Sequence, residues 1–259
     1  MHDTPHPPEF VIGVLGGMGP QATVDFLSKL IAATPVRSEQ DHLHVVLDVN
    51  PKVPDRNVAV AAARNEHQVY ASEPGSVLAG MARRLQAAGA TLLVMACNTA
   101  HAFEADIRAN TSIPFVSMIE ESCDEAARCA TAAGRRIGVL AAQGCIDAGL
   151  YQRALARRGL QVLLPDPRRQ ERLMELLYRI KLGELSQEVR VDMGELARSL
   201  VSDGADAIIA GCTEVPLVLH AGEVSRPLID ATANLAGRCV RYARHLEALP
   251  RHCFALPGG

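Results

Sequence analysis

Short apolar runs alternate with longer helix-like segments along most of the chain. The apolar runs predict eight β-strands, over residues 10–15, 44–49, 91–96, 115–118, 136–140, 161–164, 207–210 and 227–229. Several are β-branched or apolar throughout, which is typical of parallel strands that are buried on both faces. The segments between them predict helices, including 21–34, 77–88, 119–133, 149–158, 168–182 and 193–203. This alternation of strand and helix indicates an α/β fold.

Two pairs of similar segments indicate that the chain consists of two related halves. The segment IGVL at 12–15 recurs at 137–140, 125 residues later. The segment AGATLLVMACNT at 88–99 aligns with DGADAIIAGCTE at 203–214, an offset of 115 residues. Similar offsets for two independent segments predict a duplicated half, and hence two similar lobes.

Composition and charge exclude several kinds of partner. The net charge of −3 gives no electrostatic basis for binding nucleic acid or an anionic membrane. Aromatic residues make up only 3% of the chain, with no Trp, which argues against a surface that stacks bases. No apolar run approaches the ~20 residues of a membrane span. The first ten residues, MHDTPHPPEF, lack the features of a signal peptide and predict a short disordered leader. We therefore expect a cytoplasmic protein whose partner is a small molecule.

The cysteines favour chemistry over disulfides or zinc. Their number is odd, their spacing is irregular and no C-x-x-C occurs, whereas free thiols fit a reducing cytoplasm. Two of them, Cys97 and Cys212, follow apolar strands at corresponding places in the two halves. Ligands of parallel α/β sheets bind beyond the carboxyl ends of the strands. If the lobes face each other, these two thiols approach one cavity from opposite sides. The seven cysteines are at positions 97, 123, 129, 145, 212, 239 and 253.

Two opposed thiols suit the inversion of a carbon centre. One removes a proton from one face of the carbon, and the other returns a proton to the opposite face. Asn98, Thr99 and Thr213 come directly after the two strands, where side chains and helix N-termini bind a carboxylate. Glu214 is predicted to cap or orient Cys212.

These motifs resemble the aspartate/glutamate racemase superfamily, in its aspartate racemase branch. The matching segments are IGVLGGMGPQAT (12–23), NPKVPDR (50–56), MACNTAH (95–101), IPFVSMIE (113–120), LYRIKLGEL (177–185) and GCTEVPL (211–217). The resemblance implies two pseudo-symmetric flavodoxin-like lobes, residues 1–118 with 229–259 and residues 119–228, with the active site in the cleft between them. It also implies that Cys97 and Cys212 racemise an acidic amino acid, with aspartate as the favoured substrate. The reaction is expected to need neither pyridoxal phosphate nor metal, and the protein is expected to be a homodimer.

The resemblance assigns further residues to the substrate. Arg56 and Lys181 are expected to hold its carboxylates, and Met18 to form a wall of the cleft. Gly17 and Gly19 permit tight turns and close approach of the backbone to a ligand.

Several neighbouring residues have a plainer interpretation beside the functional one. Arg56 lies in a loop-like segment after Asp55, which either pairs with it or is solvated. Asn57, beside Arg56, is a candidate second contact to the carboxylate. His101, four residues after Cys97, invites a Cys–His dyad, but capping or packing is the favoured interpretation.

Two departures and three alternatives qualify the prediction. Gly144–Cys145 stands where the family commonly has Gly-Thr, so a contact of Cys145 with the site is a possibility. The first Gly-rich loop lacks the Asp-Ser of glutamate racemases, which favours the aspartate type.

The alternatives are cis–trans isomerisation of maleate, decarboxylation of a malonate, and an amino-acid-binding protein without activity. A decarboxylase needs only one thiol, so two matched cysteines count against it.

Overall fold

The computed structural model describes residues 9–64, 73–129 and 135–254. Its strands are β1 (Ile12–Gly16), β2 (Val45–Val49), β3 (Leu92–Met95), β4 (Phe115–Val116), β5 (Arg136–Leu140), β6 (Gln161–Leu163), β7 (Ala207–Ala210) and β8 (Leu228–Asp230). They form two parallel sheets, in the orders β2-β1-β3-β4 and β6-β5-β7-β8. All eight predicted strands are present, with ends within two residues of the prediction.

The two sheets share one topology and one pairing register. Ile12 of β1 pairs with Leu92 of β3, and Ile137 of β5 pairs with Ala207 of β7. These are the positions that the two pairs of similar segments make equivalent. Each sheet also has a switch point, between β1 and β3 and between β5 and β7, where ligands of open α/β sheets bind. The predicted α/β fold with two pseudo-symmetric lobes is confirmed.

Ten helices connect the strands in the described part of the chain. They are α1 (Pro20–Ala33), α2 (Arg56–Arg64), α3 (Glu73–Ala87), α4 (Glu104–Ala109), α5 (Met118–Cys129), α6 (Gln143–Asp147), α7 (Leu150–Arg157), α8 (Pro167–Lys181), α9 (Gln187–Ser202) and α10 (Ala231–Ala243). The six predicted helices correspond to α1, α3, α5, α7, α8 and α9. The end of the predicted helix 119–133 and most of the predicted leader lie outside the described residues.

Both sheets are buried between helices. Every residue of β3 and of β7 is buried, as their apolar sequences predict. After β8 the chain returns to the first sheet, where Leu235 and Cys239 of α10 pack in one cluster with Val14 and Val94. The limits of the two lobes, 118/119 and 228/229, stay a prediction. Within the described ranges no helix has the length and apolar character needed to cross a membrane.

Candidate active site

The two predicted thiols occupy equivalent places at the ends of β3 and β7. The last paired residue of β3 is Met95, and that of β7 is Ala210. Cys97 and Cys212 each follow two residues later, and both are buried. Because each lies beside the switch point of its own sheet, each thiol is placed where its lobe would bind a ligand.

The Gly-rich loop after β1 brings the first lobe against the second. Gly17 has a φ of +94°, and a methyl group added there would lie 2.4 Å from the backbone nitrogen of Asn50. Only glycine fits such a position without strain. Two residues on, a methyl group at Gly19 would lie 3.7 Å from Oε1 of Glu214, which belongs to the second lobe. Met18 is buried in one cluster with Cys97. The loop therefore runs beside both candidate half-sites.

Glu214 holds the thiol of Cys212. The Cys212 Sγ donates to Oε2 of Glu214 at 2.9 Å, and the Thr213 hydroxyl donates to the same oxygen at 3.3 Å. Burial, and then the Glu214 carboxylate, raise the pKa of Cys212 well above its ordinary value, while Lys181 lowers it. The predicted orienting contact of Glu214 is present, and it favours the thiol form of Cys212.

Arg56 begins helix α2 and does not lie in a loop, contrary to the sequence-based expectation. Asp55 caps this helix, because its Oδ1 accepts from the backbone nitrogens of Asn57 at 2.7 Å and Val58 at 3.2 Å. Asp55 is exposed, in agreement with the solvated alternative, and its Oδ1 serves the helix cap. The Arg56 Nη1 donates to the carbonyl of Val53 at 3.1 Å. Its Nε is buried and has no hydrogen-bond partner among the described residues, so one edge of the guanidinium is free for an acceptor.

Lys181 ends α8, as predicted, and Gly183 follows in the left-handed conformation, with a φ of +93°. Partial desolvation lowers the pKa of Lys181, but Cys212, Glu214 and Cys97 together raise it above the ordinary value. Arg56 opposes this rise. Lys181 therefore interacts electrostatically with both candidate thiols and with Arg56.

A set of contacts between the lobes surrounds Cys97. The residue after it, Asn98, accepts a hydrogen bond on Oδ1 from the Tyr151 hydroxyl at 2.6 Å. The backbone nitrogen of Gly144 donates to Oδ1 of Asn57 at 2.9 Å. A methyl group at Gly144 would lie 3.0 Å from the Thr99 side chain and closer still to Asn57. Asn57 therefore joins α2 to α6, and Tyr151 is a neighbour of the site that the sequence did not suggest.

His101 is structural, in line with the favoured interpretation. Its Nε2 accepts from the Met118 backbone nitrogen at 3.1 Å, so the proton lies on Nδ1, which donates to the Cys97 carbonyl at 2.8 Å. Burial lowers the pKa of His101. Both ring nitrogens are thus occupied, and no Cys–His dyad forms.

The remaining cysteines lie in the core or beside it. Cys145 is fully buried, and burial is the main cause that raises its pKa, with a smaller effect from Cys97. Within the described part of the chain, one group of side chains brings metal-ligand atoms together: Glu121, His252 and Cys253, within 4.8 Å of one another. Arg238 already neutralises this carboxylate at 2.8 Å, so the group is a poor cation site.

Comparison with known proteins agrees with this arrangement. The model of the Asp/Glu/hydantoin racemase family matches residues 15–239. The broad-specificity amino-acid racemase RacX of Bacillus subtilis is 26% identical over 87% of this chain and 95% of its own length. Glutamate racemase of Pseudomonas aeruginosa is 30% identical over 79% of this chain and 76% of its own length. The structure of Picrophilus torridus aspartate racemase superposes with a TM-score of 0.76 at 25% identity, covering 90% of this chain and 94% of that one.

The family match includes both strand ends that carry the candidate thiols and the Gly-rich loop between the lobes. The resemblance inferred from the sequence is thereby confirmed. This chain belongs to the Asp/Glu/hydantoin racemase family, and its enzyme class is amino-acid racemase.

Proposed function

We propose that this protein interconverts L- and D-aspartate through the thiols of Cys97 and Cys212, without pyridoxal phosphate or a metal ion. The observation that carries the proposal is the pairing of two buried thiols at equivalent strand ends of the two sheets. A duplicated fold supplies one acid–base group from each side, which is what inversion at a carbon requires. Similarity to an aspartate racemase over 90% of the chain supports the substrate.

The proposed reaction moves one proton off the α-carbon and another onto it. One cysteine, as thiolate, takes the α-proton while the C–H electron pair moves into the carboxylate. The opposite thiol then donates its proton to the other face, and the two cysteines exchange protonation states. The hydrogen bond from Cys212 Sγ to Glu214 favours the protonated form of Cys212, so we assign Cys212 as the acid of this form and Cys97 as its partner base. One turnover leaves Cys97 with the proton and Cys212 as the thiolate, which is the form that acts on the opposite enantiomer.

Charge that develops on the α-carboxylate needs donors fixed in advance. Asn98 and Thr99 are buried directly after Cys97 and supply such donors, while the buried Thr213 can donate its hydroxyl only when its bond to Glu214 is released. The two cations, Arg56 and Lys181, are then left for the second carboxylate of the substrate. This division of roles favours a dicarboxylic amino acid over a neutral one.

The test follows the α-deuterium of deuterated L- and D-aspartate into water, with chiral chromatography of the product. The wild-type protein should lose deuterium from both enantiomers and form the opposite one. Cys97→Ala and Cys212→Ala should each lower the rate of racemisation by about 10²–10⁴-fold or more, because each removes one acid–base group. Each variant should keep exchange on the one enantiomer whose proton the surviving thiol takes. Cys129→Ala, which removes a half-buried thiol outside the site, is the matched control and should racemise normally.

Other outcomes point to other functions. Full racemisation by Cys212→Ala would overturn the two-thiol mechanism. A wild-type protein that exchanges no deuterium but isomerises maleate or decarboxylates a malonate has a different reaction on the same scaffold. Racemisation of neutral amino acids at the same rate as aspartate would overturn the roles of Arg56 and Lys181.

A further inference from the structure

Tyr151 joins the two half-sites through a single side chain. It lies on α7 of the second lobe and is 1% exposed. Its hydroxyl donates to Oδ1 of Asn98, the residue that follows Cys97, at 2.6 Å. Its ring lies against Gly211, the residue that precedes Cys212, where an added methyl group would be 2.8 Å from the ring atom Cε2. One rigid side chain thus touches the neighbour of each thiol.

The hydroxyl of Tyr151 meets the oxygen end of the Asn98 amide. An amide side chain has an acceptor end and a donor end of nearly the same shape, so only hydrogen bonds tell them apart. A phenol that donates to Oδ1 turns the Nδ2 group away from Tyr151. That Nδ2 is buried and has no hydrogen-bond partner among residues 9–64, 73–129 and 135–254. A buried donor in this state is set to bind an acceptor from outside the protein.

The equivalent position in the other half is held differently. The residue after Cys212 is Thr213, and its hydroxyl donates to Glu214 within the same lobe. Asn98 instead depends on a phenol that comes from the opposite lobe. The orientation of Asn98 is therefore linked to the way in which the lobes meet.

We propose that Tyr151 is a positioning residue for the racemase: it fixes the Asn98 amide so that Nδ2 binds a carboxylate of the substrate. The proposal rests on the function proposed above. Without the phenol, the Asn98 oxygen is left as a buried acceptor, and the amide turns to satisfy it. The oxygen then faces the substrate carboxylate, which weakens binding and lowers turnover.

The experiment is a double-mutant cycle with Tyr151→Phe, Asn98→Ala and the double variant. Tyr151→Phe keeps the ring and its packing on Gly211, and thermal unfolding checks that each variant folds. The first measurement is kcat/KM for aspartate. The second is the Kd of succinate, an unreactive dicarboxylate, by titration calorimetry. Tyr151→Phe should cost about 10-fold in each measurement in the wild-type background and less than about 2-fold in the Asn98→Ala background, because coupled residues are not additive.

Each outcome decides one of the two proposals. Equal losses in both backgrounds, or no loss at all from Tyr151→Phe, overturn the positioning role and leave the racemase intact. A wild-type protein that binds succinate with the expected coupling but racemises no acidic amino acid overturns the proposed function alone. A wild-type protein that neither binds succinate nor racemises overturns both. If Asn98→Ala does not fold, Asn98→Ser takes its place in the cycle.

Discussion

Raising the pH above about 8.5 should destabilise the folded protein through its buried cysteines. In the folded state, burial raises the pKa of six thiols above the ordinary value. The shift is large for the five that are buried, which are Cys123, Cys145, Cys212, Cys239 and Cys253. In the unfolded chain, the same thiols lose their protons near pH ~8.5. Above that pH the unfolded state binds fewer protons than the folded state, so the free energy of unfolding falls as the pH rises. The stabilisation is fully present below this pH and is lost above it.

The magnitude follows from the count of thiols. A thiol that ionises only in the unfolded chain removes about 1.4 kcal/mol from the free energy of unfolding between about pH 7.5 and about pH 9.5. Five such thiols together remove about 7 kcal/mol, which is comparable to the ~5–15 kcal/mol of a typical domain. The protein should therefore be close to unfolding at about pH 9.5. Its small net charge, −3 at pH 7, would not by itself predict this.

The assay is urea unfolding at the two pH values in the presence of a reductant. Cys123→Ala should reduce the pH-dependent loss by about 1.4 kcal/mol, because one thiol no longer ionises. Val139→Ala truncates a neighbour of Cys123 in the same core cluster and is the matched control. It should lower stability equally at both pH values. The reasoning is refuted if Cys123→Ala loses as much stability between the two pH values as the wild-type protein does.

Three further changes test the local geometry. Gly17→Ala should lower the free energy of unfolding, measured in urea, by about 2–5 kcal/mol, because strain at φ +94° adds to overlap with the neighbouring backbone. Gly89→Ala is the control: φ is +97° but nothing lies within 4 Å of the added methyl group, so the loss should be only about 1–2 kcal/mol. His101→Leu leaves two buried backbone groups unpaired and should cost about 2–4 kcal/mol in the same assay, and unchanged stability would contradict its structural role. Asp55→Ala removes the cap of the helix that Arg56 begins, so it should cost about 1 kcal/mol. It should also raise KM for aspartate more than it lowers kcat, and a change in kcat alone would argue against this explanation.

The strands were predictable because their sequence signal is strong and local. Parallel strands buried on both faces consist of apolar residues throughout, as in β3 and β7, and turns bound them on both sides. The repeated segments also predicted the pairing, since equivalent residues in the two halves pair in the same register. Three helices outside the predicted set have weaker signals. The start of α2 is marked only by Asp55 before an Ala-rich run, a typical N-cap signal that the loop-like interpretation of Arg56 does not use. Two others, α4 and α6, are only six and five residues long, too short for a periodic pattern to appear.

The candidate site divides in the same way between local and distant contacts. Glu214 lies two residues from Cys212, so its contact with the thiol was within reach of sequence reasoning. Tyr151 lies 53 residues from Asn98 and approaches it only because the two lobes meet. No motif marks such a residue, because its neighbours in sequence have nothing to do with its partner. Contacts between lobes are therefore the part of this site that only the structure supplies.

The two halves share a topology but not the same chemistry around the thiols. Cys212 donates to a carboxylate in its own lobe, whereas beside Cys97 the adjacent amide is held by a phenol from the opposite lobe. Because the enantiomers of one amino acid have equal free energies, kcat/KM must be equal in the two directions whatever the asymmetry of the site. The difference between the half-sites must then appear in kcat and KM separately. In the proposed mechanism, the enantiomer deprotonated by Cys97 binds the form in which Cys212 carries the proton. The other enantiomer binds the form in which Cys97 carries it and Cys212 is the thiolate, and the neighbouring Glu214 carboxylate makes this form the less populated one. A higher KM for that enantiomer, matched by a proportionally higher kcat, is the kinetic pattern that this asymmetry predicts.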